Sequence, residues 1–493
     1  MDIHEKLLSG LNDEQRGAVT APSDTHHLIL AGAGCGKTMV LTRRIVYLAA
    51  RGIPLQAVLA LTFTRKAADE MAERVAKLTL ETGCAGAAPT ITTFHAFALQ
   101  VLSASFEGIV NFHRIGFTGT PHCGDDGMRL RLLTRCSTPE ERRLLGCDVS
   151  GLDALLERYH LSPDDGDGIA GENGVLLRSI AAKVQQCKQQ EGVWDFSDLV
   201  EGAVALLEGD SRLAAHIREQ YRAVLVDEFQ DTNPLQVRLL DLLLADGKRL
   251  FAVGDDDQAI YGFRGADIRP TLEFGTHFPG ARILKLQTNY RSLPAILTKA
   301  NRIFRHKDPA YRKVLVSGRY PRRSGVMPTV HRFQNQQQAG DWILRTASYC
   351  SGMLNLPVGS MAVLLRTNQS VAQMMESFRT TESVDGAFPQ VLTVHKSKGL
   401  EFPVVFLADM EECVFPGYRK PADQRIESLP ELLKFLLRGA PNPPAEILDE
   451  ETRLFYVAVT RAQQRLFLVH TQSKSVYGRT RRFQPSRFLK YMR

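Results

Sequence analysis

The most constraining stretch of this 493-residue chain is His27-Leu28-Ile29-Leu30-Ala31-Gly32-Ala33-Gly34-Cys35-Gly36-Lys37-Thr38. The apolar run predicts a strand, and its break into glycines ending in Lys-Thr predicts a tight loop that opens the next helix. Backbone N–H groups in such a loop converge on phosphate oxygens, a Lys ammonium neutralises the outer phosphates, and a Thr hydroxyl ligates magnesium. Ala31, Gly32, Ala33, Gly34, Cys35, Gly36, Lys37 and Thr38 are therefore the candidate nucleoside triphosphate site. The strict pattern wants Gly where Ala31 stands, so a glycine-rich turn with no ligand is the plain alternative, and a second segment has to decide.

That segment is Ala223-Val224-Leu225-Val226-Asp227-Glu228. A parallel strand covered on both faces reads as a continuous apolar run, and ligands of open α/β sheets sit at the carboxyl ends of such strands. Asp227 is then placed to hold magnesium with Thr38, and Glu228 to orient or deprotonate an attacking water.

Other apolar runs end in similar chemistry. Val58-Leu59-Ala60-Leu61-Thr62 leads to Phe63, Arg65 and Lys66 before a helix expected from Ala67 to Leu78, and Thr90-Ile91-Thr92-Thr93 leads to Phe94 and His95. Leu250-Phe251-Ala252-Val253 leads to Asp255, Asp256, Asp257 and Gln258, then to Tyr261, Phe263 and Arg264. Gln258 is a candidate sensor of a terminal phosphate. Tyr261, Phe263 and Arg264 offer stacking faces and a cation to single-stranded bases. Net charge is +7, with nine Lys or Arg against one acid from Lys299 to Arg323, and seven against none from Lys474 to Arg493. Such stretches are either the footprint of a phosphate-backbone binder or solvated basic faces.

Together these segments resemble the motifs of superfamily 1 DNA helicases of the UvrD, Rep and PcrA type. Leu11-Asn12-Asp13-Glu14-Gln15 resembles the adenine-reading Q motif, and Asp227-Glu228-Phe229-Gln230-Asp231-Thr232 the long motif II. Leu286-Gln287-Thr288-Asn289-Tyr290-Arg291-Ser292 resembles motif IV, and Thr393-Val394-His395-Lys396-Ser397-Lys398-Gly399-Leu400-Glu401-Phe402 motif V. Leu454-Phe455-Tyr456-Val457-Ala458-Val459-Thr460-Arg461-Ala462 resembles motif VI. The motifs keep the family's order from residue 11 to 462, so the resemblance covers nearly the whole chain.

The resemblance implies an α/β fold: two RecA-like P-loop NTPase domains with parallel sheets, plus a helical insertion in the first. The first domain (1A) is expected at 1–90 and 207–284, the insertion (1B) at 91–206, and the second domain (2A) at 285–493. It further implies that Gln15 reads adenine, Tyr290 stacks on it and Glu401 contacts the ribose. Lys37, Asp227, Glu228 and Gln258 would work with Arg291 and Arg461, arginine fingers reaching from the second domain. Such a finger contributes roughly 10³ to 10⁵ in rate. Closure around ATP would ratchet single-stranded DNA past Phe63, His95, Tyr261, Phe263, Arg264 and His395. The implied activity is an ATP- and magnesium-dependent DNA translocase or helicase of 3′ to 5′ polarity, acting on single-stranded and tailed duplex DNA.

Departures from the family pattern qualify this. Met39 stands where relatives have an adenine-stacking Arg, Phe263 where they have Trp, and Cys35 where they have Ser, so alkylation of Cys35 is expected to block ATP turnover. The bulky 2B insertion between motifs IV and V is essentially absent. A Pro-rich addition follows Phe415-Pro416, and its Leu429, Leu432, Leu433, Leu436 and Leu437 share one helical face. That face either packs on its own domain or docks a protein partner through 416–449. These departures favour an alternative, a DNA-stimulated ATPase subunit of a repair, recombination or anti-phage complex that needs a partner to unwind.

Composition sets the outer bounds. The 44% hydrophobic and 23% charged residues suit an ordinary globular chain, and no apolar run reaches the ~18 residues of a membrane span. The N-terminus carries no secretory pattern and the eight cysteines form no CxxC pair, so a cytoplasmic protein with reduced thiols and no membrane partner is expected.

Overall fold

The computed structural model describes residues 3–84, 86–115, 122–124, 126–161, 172–245, 247–262, 265–321, 324–380, 387–417, 445–476 and 479–492. Two parallel sheets organise them. The first contains β1 (His27–Ala31), β2 (Val58–Thr62), β3 (Thr90–Thr93), β4 (Ala223–Val226), β5 (Leu250–Gly254) and β6 (Arg282–Leu286). Its order is β6-β1-β5-β4-β2-β3, and every neighbouring pair is parallel. The second contains β7 (Thr329–Phe333), β8 (Ala362–Leu365), β9 (Gln390–Thr393), β10 (Phe402–Leu407) and β11 (Ala462–Thr471), in the parallel order β7-β11-β10-β8-β9. This is the α/β architecture that the apolar runs imply.

Side chains alternate across a strand, and here the alternation divides each central strand between two cores. Leu28, Leu30, Leu59, Leu61, Val224 and Val226 pack on one face of the first sheet. Ile29, Ala31, Val58, Ala60, Leu225 and Val253 pack on the other. Each such Leu, Ile or Val contributes about 1.5–3 kcal/mol when fully buried. A one-residue slip would exchange the faces of a whole strand, so register is strongly held. The second of these cores runs on through Ile296 and Leu315 to Ala362, Leu364, Val405 and Leu407 of the second sheet. One continuous apolar body therefore joins the sheets and sets the distance between their carboxyl ends.

Helices Phe94–Ser103 and Phe196–Gly209 pack on the first sheet through Phe94, Phe97, Leu199 and Val200. Helices Asp126–Cys136, Val149–Leu161 and Glu172–Glu191 share a separate core built from Leu133, Leu152, Leu177 and Ile180. The buried ammonium of Lys188 ties that body to the helix at 196–209, at 2.7 Å from Asp195 and 2.9 Å from Asp198. No helix among the described residues is long and apolar enough to cross a membrane. The leucine face at 429–437 lies outside the described residues, as does most of the 416–449 segment.

Candidate active site

β1 delivers the chain to Gly32, whose N–H donates to Leu286 O at 3.0 Å. Gly34 and Gly36 follow with φ of +67° and +88°, a left-handed backbone that glycine adopts without strain. Space demands glycine at 34 as well, since a Cβ there would lie 2.7 Å from Arg291 Cβ and from Asn289 Nδ2. Gly36 caps helix Lys37–Ala50 and offers it no side-chain acceptor, so the first-turn N–H groups receive no side-chain cap from that residue. Lys37 Nζ lies 3.2 Å from Glu228 Oε2, and Thr38 follows it in the same turn.

Glu228 leaves β4 with φ +51° and ψ +44°, a conformation that costs a non-glycine residue energy and recurs at functional sites. Its carboxylate is held by Lys37 and by Gln230 Nε2 at 2.6 Å. Burial opposes its charge, but Lys37 and Lys398 win and hold it below the usual carboxylate range. Asp227 goes the other way, pushed up by burial and by the Glu228 charge beside it. Two adjacent acids with opposed environments suit two different roles. A Thr hydroxyl and a buried carboxylate are hard oxygen donors of the kind magnesium takes, and a divalent cation would relieve the crowded negative charge on Asp227.

Residues from both sheets converge at the end of β5. Gln258 Nε2 donates to Asp255 Oδ2, and Gln258 Oε1 accepts from Arg461 Nη2 at 3.0 Å. Arg461 is almost fully buried, with Nη1 donating to Leu400 O at 3.0 Å and Nε to Val457 O at 3.1 Å. Arg291 Nε donates to Glu401 Oε2 at 2.5 Å, and Gln463 Nε2 donates to the other Glu401 oxygen at 2.9 Å. Tyr290 is partly exposed, its hydroxyl accepting from Asn12 Nδ2 at 2.8 Å. Gln15 is buried with both ends of its amide engaged: Oε1 accepts from Asn12 N–H at 3.2 Å in a capping box, and Nε2 donates to Cys35 O at 3.0 Å. It thereby fastens helix Asp13–Val19 to the phosphate loop.

The candidate DNA-facing side chains that the structure describes lie at three places. Phe63 and Tyr261 stack with ring centroids 5.2 Å apart, and the Lys398 ammonium lies 4.7 Å over the Tyr261 ring. His95 meets Phe196 edge to face at 5.4 Å, and burial lowers its pKa, favouring the neutral ring. His395 opens a short turn just after β9. Phe263 and Arg264 lie outside the described residues.

Two readings of the sequence need correction. Cys35 is almost fully buried, with Sγ 3.7 Å from Ala33 O, and burial together with Asp255 pushes its thiol up. The thiolate that alkylation requires is suppressed, so the expected sensitivity of this loop to alkylation does not follow. The basic stretches are also less free than their composition suggests. Lys307 and Lys313 are paired with Asp256 and Asp257, and Lys474 with Asp409 and Glu411, so their charges are compensated internally.

Sequence reasoning missed several partners. Lys398 donates to Asp231 and, at 3.0 Å, to Gln258 O. Glu14 Oε2 accepts the N–H groups of Gln287 and Thr288 at 2.8 and 3.1 Å. Asn289 reaches Ala33 O at 2.6 Å with its Nδ2, while its Oδ1 accepts from the Arg291 and Ser292 N–H groups. All three stand inside the segments that carry the resemblance, but only the folded chain shows what they touch.

Comparison with known proteins agrees with this geometry. Residues 11–279 match the model of the UvrD/REP helicase N-terminal domain, and residues 284–389 and 389–473 match that of the UvrD-like helicase C-terminal domain. A probable DNA helicase of Mycoplasma pneumoniae is 32% identical over 97% of this chain and 86% of its own length. The ATP-dependent DNA helicase UvrD1 of Mycobacterium tuberculosis is 34% identical over 76% of this chain and 49% of its own. The ATP-dependent DNA helicase PcrA of Leuconostoc citreum is 31% identical over 76% and 49%. The aligned part thus spans about half the length of the latter two relatives.

Proposed function

The chain belongs to the UvrD/Rep family of ATP-dependent DNA helicases, with its two RecA-like domains, and on that premise we propose that it couples ATP hydrolysis to 3′ to 5′ movement along single-stranded DNA and to duplex unwinding. The observation that carries the reading is the meeting of Lys37, Glu228 and Gln258, beside the first sheet, with Lys398 and Arg461, beside the second. Phosphoryl transfer is catalysed mainly by positioning and charge stabilisation, which such a convergence supplies.

In this reading Lys37 and the loop N–H groups bind the phosphates. Thr38 and Asp227 would hold a magnesium ion, which when bound neutralises charge on the reacting phosphates. Glu228, held by Lys37 and Gln230, receives the proton of the attacking water. Gln258 contacts the terminal phosphate, and Arg461 and Arg291 stabilise the charge that develops there. Tyr290 serves the adenine and Glu401 the ribose, and Gln15 would read the adenine by exchanging its bonds to Asn12 N–H and Cys35 O for the base. Glu401 would exchange its pairing with Arg291 for a ribose hydroxyl as that arginine turns to the phosphate. Lys398 joins this machinery to the DNA side, because one ammonium bonds Gln258 O and covers the Tyr261 ring.

The division into 1–90 with 207–284, 91–206 and 285–493 is retained as part of the proposal. At the two ends of the 91–206 insertion, helices 94–103 and 196–209 pack on the first sheet, and its separate core lies between them. The absence of a 2B insertion is supported by the two C-terminal family matches, which meet at residue 389. That feature favours the second reading, a DNA-stimulated ATPase that needs a partner to unwind.

Strand displacement from duplexes with a 3′ or a 5′ single-stranded tail, with ATPase followed in the same reaction and Lys37→Ala as control, tests both. Unwinding of only the 3′-tailed duplex supports the first reading. DNA-stimulated ATPase without unwinding of either duplex moves the conclusion to the second.

A further inference from the structure

Asp255, Asp256 and Asp257 are all buried, and one carboxylate oxygen from each lies within 4.8 Å of the other two. Three such charges repel and cannot all stay ionised without compensation. The compensation comes from a segment that the sequence had singled out only as basic. The side chain of Lys313 is 1% exposed, and its Nζ lies 3.0 Å from Asp255 Oδ1, 2.9 Å from Asp257 Oδ2 and in contact with Asp256 Oδ1. Lys307 adds a second ammonium on Asp256 and Asp257. Burial opposes the Lys313 charge, yet the three carboxylates raise its pKa well above the ordinary lysine value.

Lys313 is also fixed from its own side. Leu315 is bracketed by Asn301, which accepts its N–H at 2.8 Å and donates to its carbonyl at 2.9 Å. Its side chain lies against the phosphate loop, where a Cβ on Gly32 would come within 2.3 Å of Leu315 Cδ2. Val316–Ser317 then pairs with Thr288–Asn289. A segment packed on the phosphate loop thus presents one cation to the acids that precede Gln258.

The consequence falls on Gln258. An ionised carboxylate only accepts hydrogen bonds, so Asp255 Oδ2 selects the Nε2 end of the Gln258 amide and leaves Oε1 facing Arg461. Without Lys313 the Asp255 carboxylate loses the ammonium that holds it beside Asp256 and Asp257, so the acceptor of Gln258 Nε2 is no longer fixed and the donor-only Arg461 alone is left to hold the amide. We propose that Lys313, through the Asp255 carboxylate it holds, is a positioning residue that fixes the orientation of the Gln258 amide for ATP hydrolysis. The inference rests on Gln258 acting at the terminal phosphate, as in the reading above.

The test is a double-mutant cycle on the full-length chain, reading kcat and KM of single-stranded-DNA-stimulated ATPase, with thermal denaturation as the check on folding. Lys313→Met is expected to lower kcat about tenfold or more while KM for ATP changes less than about threefold, the pattern of a lost transition-state interaction. Combined with Gln258→Ala it should cause almost no further loss. Asp255→Asn is the second variant; it removes one of the crowded charges, so it should fold, and it should show the same kcat loss and the same non-additivity. Folded variants with wild-type kcat, or losses that simply multiply with that of Gln258→Ala, would overturn the proposal alone. A Gln258→Ala protein as fast as wild type would overturn the assignment of Gln258 and the proposal with it.

Discussion

Arg461 Nη2 and Gln258 Oε1 meet at 3.0 Å although 203 residues separate them in the chain. Nη1 and Nε donate to Leu400 O and Val457 O, and Nη2 also reaches Thr460 Oγ1 at 3.4 Å, so all three guanidinium nitrogens are engaged and the group is held in one plane between the sheets. A planar fork engaged at three points is what a lysine cannot reproduce. Arg461→Lys and Arg461→Ala should both lower kcat for ATP by about 10³-fold, the lower end of the range for an arginine finger. Steady-state ATPase beside a nucleotide titration checks this, and recovery of most of the rate in the lysine variant would count against a finger role.

Phe63 and Tyr261 form a stacked pair beneath the Lys398 ammonium. If this pair is a platform for bases, Phe63→Ala and Tyr261→Ala should each weaken single-stranded DNA binding by about 1–3 kcal/mol. The double variant should lose less than the sum, because the rings touch. Fluorescence anisotropy of a labelled oligonucleotide at one fixed salt concentration reads both, and unchanged affinity in the single variants would make the pair a core contact.

Cys35 should resist maleimide in the native protein and react only on unfolding. Its thiol is buried against the loop carbonyl and disfavours the thiolate. Peptide mass mapping after labelling with and without denaturant separates the cases. Rapid native labelling at Cys35 with loss of ATPase would show that the loop opens far more readily than its packing implies.

Glu201 lies beside the Lys188, Asp195 and Asp198 cluster. Burial, and the Asp198 charge next, push its carboxyl from 4.5 up to about 7. A raised acid is preferentially protonated in the folded state. Its contribution to stability is therefore complete below pH 4.5 and is lost as pH rises through about 7. Glu201→Gln should raise the Tm clearly at pH 8 and much less at pH 5. An equal gain at both pH values would mean that this carboxyl titrates normally.

By itself the sequence determined what is local. The phosphate loop was legible because left-handed glycines, a helix start and a Lys-Thr pair must follow one another within a few residues. The strands at 27–31, 58–62, 223–226 and 250–254 were legible because parallel strands buried on both faces leave an unbroken apolar run. Tertiary structure alone decided which charges are free and which are compensated. The same composition rule that marks Lys307, Lys313 and Lys474 as a basic footprint holds for an exposed ammonium and for a buried one. Only the packing of Leu315 on the phosphate loop brings Lys313 to aspartates 57 residues or so away. The same holds for Gln15 and Cys35, whose side chains are committed inward by burial. Whether a polar group faces solvent or a buried partner depends on the low-dielectric surroundings that distant segments create, and no local pattern encodes that.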